Sequence, residues 1–100
     1  MKIRYIAVAE IEFDEAVAWY LARSRGAARH FGKEVRNVER LLLRYPRIGR
    51  CVELDARSLC INDFPYNLIY SIEKSEIVVV AVAHHSRRPG YWMDRLGDTR

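Results

Sequence analysis

The spacing of apolar positions changes along this chain of 100 residues, and each change marks an element. Lys2-Ile3-Arg4-Tyr5-Ile6 alternates charged and apolar positions, which predicts a short strand with one buried face. From about Ala9 to Ser24 the period becomes helical: Phe13, Ala16, Val17, Tyr20 and Leu21 form one stripe. Glu10, Glu12, Asp14 and Glu15 crowd the first turns, where the helix dipole favours negative charge, with Arg23 and Arg25 near the end. Gly26 is the expected stop. A second helix is predicted from about Ala27 to Tyr45, with Phe31, Val35, Val38, Leu42 and Tyr45 as its stripe, Leu41 widening it and Pro46 closing it. So short a link predicts an antiparallel helical hairpin.

Arg47 to Ala56 reads as a loop. Period two resumes at Arg57-Ser58-Leu59-Cys60-Ile61-Asn62, with Leu59 and Ile61 on one side. Phe64-Pro65 marks a turn and Tyr66 to Ile72 the next strand. Glu73-Lys74-Ser75-Glu76 is a tight polar connection, so the flanking strands form a hairpin. Ile77 to Ala83 does not alternate, which places it inside a sheet covered on both faces. The order strand, helix, helix, three strands predicts an α+β domain. The helical hairpin packs on one face of a mostly antiparallel four-stranded sheet.

Composition narrows the class. Half the residues are hydrophobic and 30% are charged, which fits one globular domain. Seventeen Lys and Arg against 13 Asp and Glu give a net charge of +4, compatible with nucleic acid or an acidic partner protein without requiring either. No apolar run approaches the roughly 20 residues of a membrane helix, and Met1-Lys2-Ile3-Arg4 does not open a signal peptide. Cys51 and Cys60 fit neither a metal-ligand nor a CxxC spacing and read as reduced, partly buried thiols. The expectation is a cytoplasmic protein with no membrane role.

Candidate chemistry collects after the apolar strand, in His84-His85-Ser86-Arg87-Arg88-Pro89-Gly90-Tyr91-Trp92. Neighbouring strand residues point to opposite faces. One histidine should lean toward the helices, together with Val78, Val80 and Val82 or with Ile77, Val79 and Ala81; the other faces the open side. The exposed one is a candidate general acid or base. Arg87 and Arg88 suit a phosphate or carboxylate, and Tyr91 and Trp92 suit base stacking, a protein interface or packing onto the sheet. On the second helix, Arg29, Lys33, Arg36, Arg40, Arg44 and Arg47 form a basic ridge, read as a solvated face or an electrostatic footprint. No Gly-rich phosphate loop, metal triad or Ser-His-Asp set stands out, so neither metal nor cofactor is expected.

Three segments in order resemble the RelE/ParE toxins of bacterial type II toxin–antitoxin systems: Glu15-Ala16-Val17-Ala18-Trp19-Tyr20, Phe64-Pro65-Tyr66-Asn67-Leu68-Ile69-Tyr70, and Val80-Ala81-Val82-Ala83-His84 with Arg87-Arg88-Pro89-Gly90-Tyr91-Trp92. The likeness spans nearly the whole chain. It implies a growth-inhibitory toxin linked to plasmid stabilisation and neutralised by a cognate antitoxin whose C-terminal segment wraps it. Operator DNA would be reached only through that antitoxin.

RelE-like members cut messenger RNA in the ribosome and ParE-like members poison DNA gyrase. The nucleases keep basic residues on the open sheet face. The matching positions here, Ser58, Cys60 and Asn67, are not basic, and that face is expected to lack positive charge. Arg88 and Tyr91 fall where such enzymes keep an arginine and an aromatic. The favoured expectation is therefore a ParE-like gyrase inhibitor without chemistry of its own. Its candidate target or antitoxin contacts are Arg57, Arg87, Arg88, Tyr91 and Trp92, with Arg36, Arg40 and Arg44. The alternatives are a ribosome-dependent endoribonuclease using His84 or His85, Arg88 and Tyr91, or a decayed toxin that only binds its antitoxin.

Overall fold

The structure is a computed structural model describing residues 1–99. Its elements are β1 (Lys2–Tyr5), α1 (Ala7–Leu21), α2 (Arg25–Arg44), β2 (Arg50–Cys51), β3 (Arg57–Cys60), β4 (Tyr66–Glu73) and β5 (Glu76–His84), followed by a C-terminal 3-10 segment, Met93–Thr99. The α+β order is the expected one. The sheet, however, has five strands in the order β1-β5-β4-β3-β2, with β1 parallel to β5 and every other pairing antiparallel. The extra strand is Arg50–Cys51, within the stretch read as a loop. Two residues opposite Ser58 and Arg57 are too few to create a period.

The helical hairpin turns without its expected glycine. Ala22 caps α1 in right-handed backbone, and the Ser24 hydroxyl opens α2 by accepting the Ala27 N–H at 3.2 Å. Serine oxygen there satisfies one of the unpaired donors of a first turn, and Gly26 lies inside the helix. Phe31, Val35, Val38 and Leu42 are buried as the α2 stripe predicts, while Tyr45, the C-cap, is exposed. Phe31 packs with Tyr20, Phe64 and Tyr66, ring centres 5.1–5.3 Å away, and this aromatic cluster joins both helices to the sheet. Burial of one such ring contributes about 1.5–3 kcal/mol.

Ile77 through Ala83 are all buried, so the central-strand reading holds. The face assignment needs one change. Ile69 pairs with Ala81 and Tyr70 with Val79, so Val80 is an extra residue and the ladder carries a bulge there. Either uniform alternation along β5 fails. Val79 lies opposite Tyr70 below the bulge, whereas Val82 and His84 face the α1 side above it. Each possibility put residues together that the bulge separates.

The loop after α2 is fastened by Tyr70. Its buried hydroxyl donates to the Pro46 carbonyl at 2.7 Å and accepts the Gly49 N–H at 3.0 Å. Arg57 donates to the Arg47 and Gly49 carbonyls, both at 2.9 Å. A Cβ on Gly49 would lie 2.6 Å from the Tyr70 hydroxyl, so this close approach requires glycine. Both cysteines are free and exposed, not partly buried: Cys51 is on the edge strand and Cys60 ends β3 on the face away from the helices. Among the described residues no helix is long and apolar enough to cross a membrane.

Candidate functional site: the end of β5 and the segment that closes over it

β1 ends at Tyr5, opposite Val79, so the edge of β5 beyond that point has no strand partner. The chain fills the edge with side chains. Glu12 of α1 accepts the Val82 N–H through Oε1 at 3.0 Å, and Arg95 donates to the Val80 carbonyl at 3.1 Å. The two also pair with each other: Arg95 Nη1 to Glu12 Oε1 at 2.9 Å and Nη2 to Oε2 at 3.1 Å. Tyr91 completes the cluster with a 2.8 Å hydrogen bond from its hydroxyl to Glu12 Oε2. The Glu12 and Arg95 side chains are only 10% and 14% exposed, so this bidentate pair is largely removed from solvent screening.

The electrostatic consequences follow from that geometry. Burial, then the hydrogen bond and charge of Glu12, push the Tyr91 hydroxyl well above the usual tyrosine range, so it stays protonated as a donor. Burial opposes the Arg95 charge, but the Glu12 carboxylate outweighs it and the guanidinium is held more firmly protonated. Arg87 stacks on the Tyr91 ring with its guanidinium carbon 3.9 Å from the centroid, and Arg95 lies 4.9 Å from the same centroid. Tyr91 is thus gripped by two cations and one carboxylate.

Two depressions flank this cluster. One, of about 400 Å³, runs between α1 and the end of β5, with Glu15, Trp19, Pro65, Tyr66, His84 and Arg87 among its walls. Trp19 is 51% exposed on its rim, with the Arg23 guanidinium 3.3 Å from its ring centroid. The other, of about 800 Å³, lies on the opposite sheet face, with Ile69 and Ala83 lining it beside Arg50, His85, Arg88 and Trp92.

The fold divides the predicted residues between these places. The expected separation of the histidines is only partial: both border the open-face cleft, and His84 also borders the groove beside α1. His84 is half-buried, edge-on to Tyr66 at 5.0 Å, and its Nδ1 accepts the Ser86 N–H at 3.0 Å. His85 is the exposed one; its Nε2 lies 3.1 Å from Asn67 Oδ1. Arg87, Arg88 and Tyr91 converge near the open-face cleft, whereas Trp92 is 5% exposed and packs into the core. Arg57 is occupied with the loop after α2. Arg36, Arg40 and Arg44 are exposed on α2 and line neither depression.

The expectation of an open face without positive charge is overturned. β2 sets Arg50 opposite Ser58, and Arg50 and Arg88 both line the cleft. Glu12, Arg95, Arg50 and Trp19 all escaped the sequence reading as site residues. Glu12 carried a usable signal. It falls between Ala9 and Ala16 at helical spacing, on the buried side of α1, where an ionised carboxylate needs partners.

The scaffold is α+β, with a groove beside an incomplete sheet edge. The sequence pattern of the family described as "ParE toxin of type II toxin-antitoxin system, parDE" matches residues 3–89, and the chain belongs to that family. Among solved structures, a chain of the chromosomal ParDE toxin–antitoxin system from P. aeruginosa is similar at 16% identity, with a TM-score of 0.63, covering 84% of this chain and 95% of that one. That similarity is one of fold. No curated protein matches the sequence.

Proposed function

We propose that this ParE-family toxin arrests growth by binding and inhibiting DNA gyrase, and that a cognate antitoxin neutralises it. The observation carrying this reading is the commitment of Tyr91. Its hydroxyl is held by Glu12 and its ring by Arg87 and Arg95, so it is not free to stack on a nucleotide. Both histidines border the open-face cleft, but each ring is engaged locally, His84 Nδ1 by the Ser86 N–H and His85 Nε2 by Asn67, which supports a packing role over an acid/base pair. What remains presented is a contact surface: Trp19 and Arg87 at the groove, and Arg88 beside them. The groove, with an exposed aromatic rim, suits the antitoxin's C-terminal segment. Operator DNA would be contacted through the antitoxin, and the target places the action in the cytoplasm.

A ribosome-dependent endoribonuclease is the second reading, favoured by one observation: Arg50, Arg88, His84 and His85 border the same open-face cleft. A paired assay separates the two. Purified toxin should abolish gyrase supercoiling and trap DNA breaks while leaving ribosome-bound messages intact. Message cleavage without gyrase inhibition would reverse the choice, and neither activity with retained antitoxin binding would identify a decayed toxin. Full toxicity of an Arg88→Ala, Tyr91→Ala double variant would sink the nuclease reading.

A further inference from the structure

We propose that His30, Glu34 and Asp63 form a divalent transition-metal site of the zinc class, which ties α2 to the turn between β3 and β4. The sequence hides this set because Asp63 is 33 residues from His30. The fold brings one ligand atom from each of the three within 4.8 Å of the others. His30 Nε2 is 2.9 Å from Asp63 Oδ2, and His30 Nδ1 is 3.9 Å from Glu34 Oε2. Zinc bonds of about 2.0–2.2 Å in a tetrahedral shell separate neighbouring ligand atoms by roughly 3.3 Å. The 2.9 Å and 3.9 Å contacts use opposite ring nitrogens and a metal takes only one of them, so the shell requires the imidazole or the Glu34 carboxylate to rotate from ligand atoms now within 4.8 Å of one another.

Glu34 supplies the second argument. Its side chain is only 13% exposed, yet its contacts are long: Asn37 Nδ2 at 3.4 Å and His30 at 3.9 Å. Among the described residues its contacts are long ones, and a mostly sequestered carboxylate so held is a group whose charge a cation would complete. Asp63 has a left-handed backbone, φ 70°, and its side chain is 56% exposed, free to turn toward the ion. One imidazole and two carboxylates favour a borderline metal over calcium or magnesium, which prefer shells made wholly of oxygen. Such a shell leaves a position open for water or a partner's ligand.

The site has a structural consequence. His30 lies against the Phe64 ring, 5.1 Å between centroids, and Phe64-Pro65-Tyr66 follows Asp63 directly. Pro65 and Tyr66 are walls of the groove beside α1. A metal at Asp63 therefore fixes one groove wall to α2.

The test is zinc titration of the full chain, followed by calorimetry, thermal unfolding and the side-chain NMR signals of the histidines. The expected result is one equivalent bound, a rise in Tm, and a shift of the His30 ring signals. Affinity should drop at least about tenfold in His30→Ala and in Asp63→Asn, by analogy with the loss of other metal-site contacts. Asp63→Asn tolerates the left-handed backbone, so it stands as the second variant if His30→Ala does not fold. Cobalt substitution should give the visible bands of a low-coordinate site, absent in both variants. The proposal is overturned if zinc leaves the His30 ring untouched and shifts His84 or His85. It is equally overturned if both variants bind within about twofold of wild type, or if no zinc binds at tens of micromolar. The cluster would then be a hydrogen-bonded ion pair only.

Discussion

Replacing Glu12 with alanine should destabilise the protein by about 3 kcal/mol, although no apolar core residue changes. Four donor groups lose their acceptor: the Val82 N–H, both Arg95 nitrogens and the Tyr91 hydroxyl. Hydrogen bonds to a charged group contribute about 1.5–3 kcal/mol each, but these share one carboxylate and do not add. The firmer guide is the cost of breaking a buried ion pair, about 3–5 kcal/mol. Residual exposure of 10% for Glu12 and 14% for Arg95 places the value toward the lower end. For a domain of this size that is a fall in Tm of roughly 10–20 °C. Urea unfolding followed by tryptophan fluorescence measures it, because Trp92 is buried beside the cluster. Glu12→Gln keeps one acceptor oxygen and should lose about half as much. The Glu12→Ala, Arg95→Met double variant should lose clearly less than the sum of the single ones. A loss below about 1 kcal/mol for Glu12→Ala, or simple additivity in the double variant, would refute the claim that this pair closes the sheet edge.

Gly49→Ala should cost about 1–3 kcal/mol in the same unfolding measurement, since its Cβ would meet the buried Tyr70 hydroxyl at 2.6 Å and its ring at 2.9–3.0 Å. Ser24→Ala removes the α2 cap and should cost about 1 kcal/mol, with a drop in helical circular dichroism at elevated temperature. Burial, then the bond to Glu39, pushes the Tyr5 hydroxyl far above its ordinary range, and Tyr91 moves the same way. The folded state thus keeps protons that the unfolded state releases near pH 10, so stability is full below that pH and falls as pH rises above it, by at most about 1.4 kcal/mol per pH unit for each group. Denaturation between pH 8 and 11 should show that decline, and Tyr5→Phe should flatten it. Tyr91→Phe keeps the ring between its two arginines and should leave toxicity in induced cells unchanged; loss of toxicity at unchanged stability would assign the hydroxyl a direct part in target binding.

The legible parts of the fold were those written as a period. The α2 stripe could be read residue by residue because Phe31, Val35, Val38 and Leu42 all face one core. The hairpin of β4 and β5 followed from Lys74-Ser75, where Lys74 takes a positive φ. The bulge at Val80 was invisible because β5 is apolar on both faces there, and shifting one valine for another changes no pattern. β2 was too short, and its loss hid Arg50 from the open face. The site was half legible. The segment from His84 to Trp92 is where the two depressions meet, but alternation does not part the histidines cleanly, because His84 borders both depressions and His85 the open-face cleft. Its anchor was not legible, because Glu12 and Arg95 are 83 residues apart and a first-turn acid already has a reason to be there in the helix dipole. Trp92 shows the converse: its composition suits an interface, but burial of its indole over the sheet won.

The same carboxylate therefore supports the fold and the presented surface, and this constrains how the two can vary. An unfinished edge such as Val80 to Val82 exposes backbone groups that a foreign strand could pair with. Glu12 and Arg95 occupy those groups from the side, with no need for a longer β1. In doing so they hold Tyr91, and Tyr91 in turn supports the Arg87 guanidinium at the groove wall. Arg87 is the member of this chain that can be changed cheaply. Its side chain is 52% exposed and its contact with Glu12 is a distant 3.9 Å, so its loss removes presented charge and little stability. Substitution at Arg87 is thus cheap in stability, while loss of Glu12 or Arg95 alone leaves the other largely buried charge unpaired, so that pair must change together or not at all.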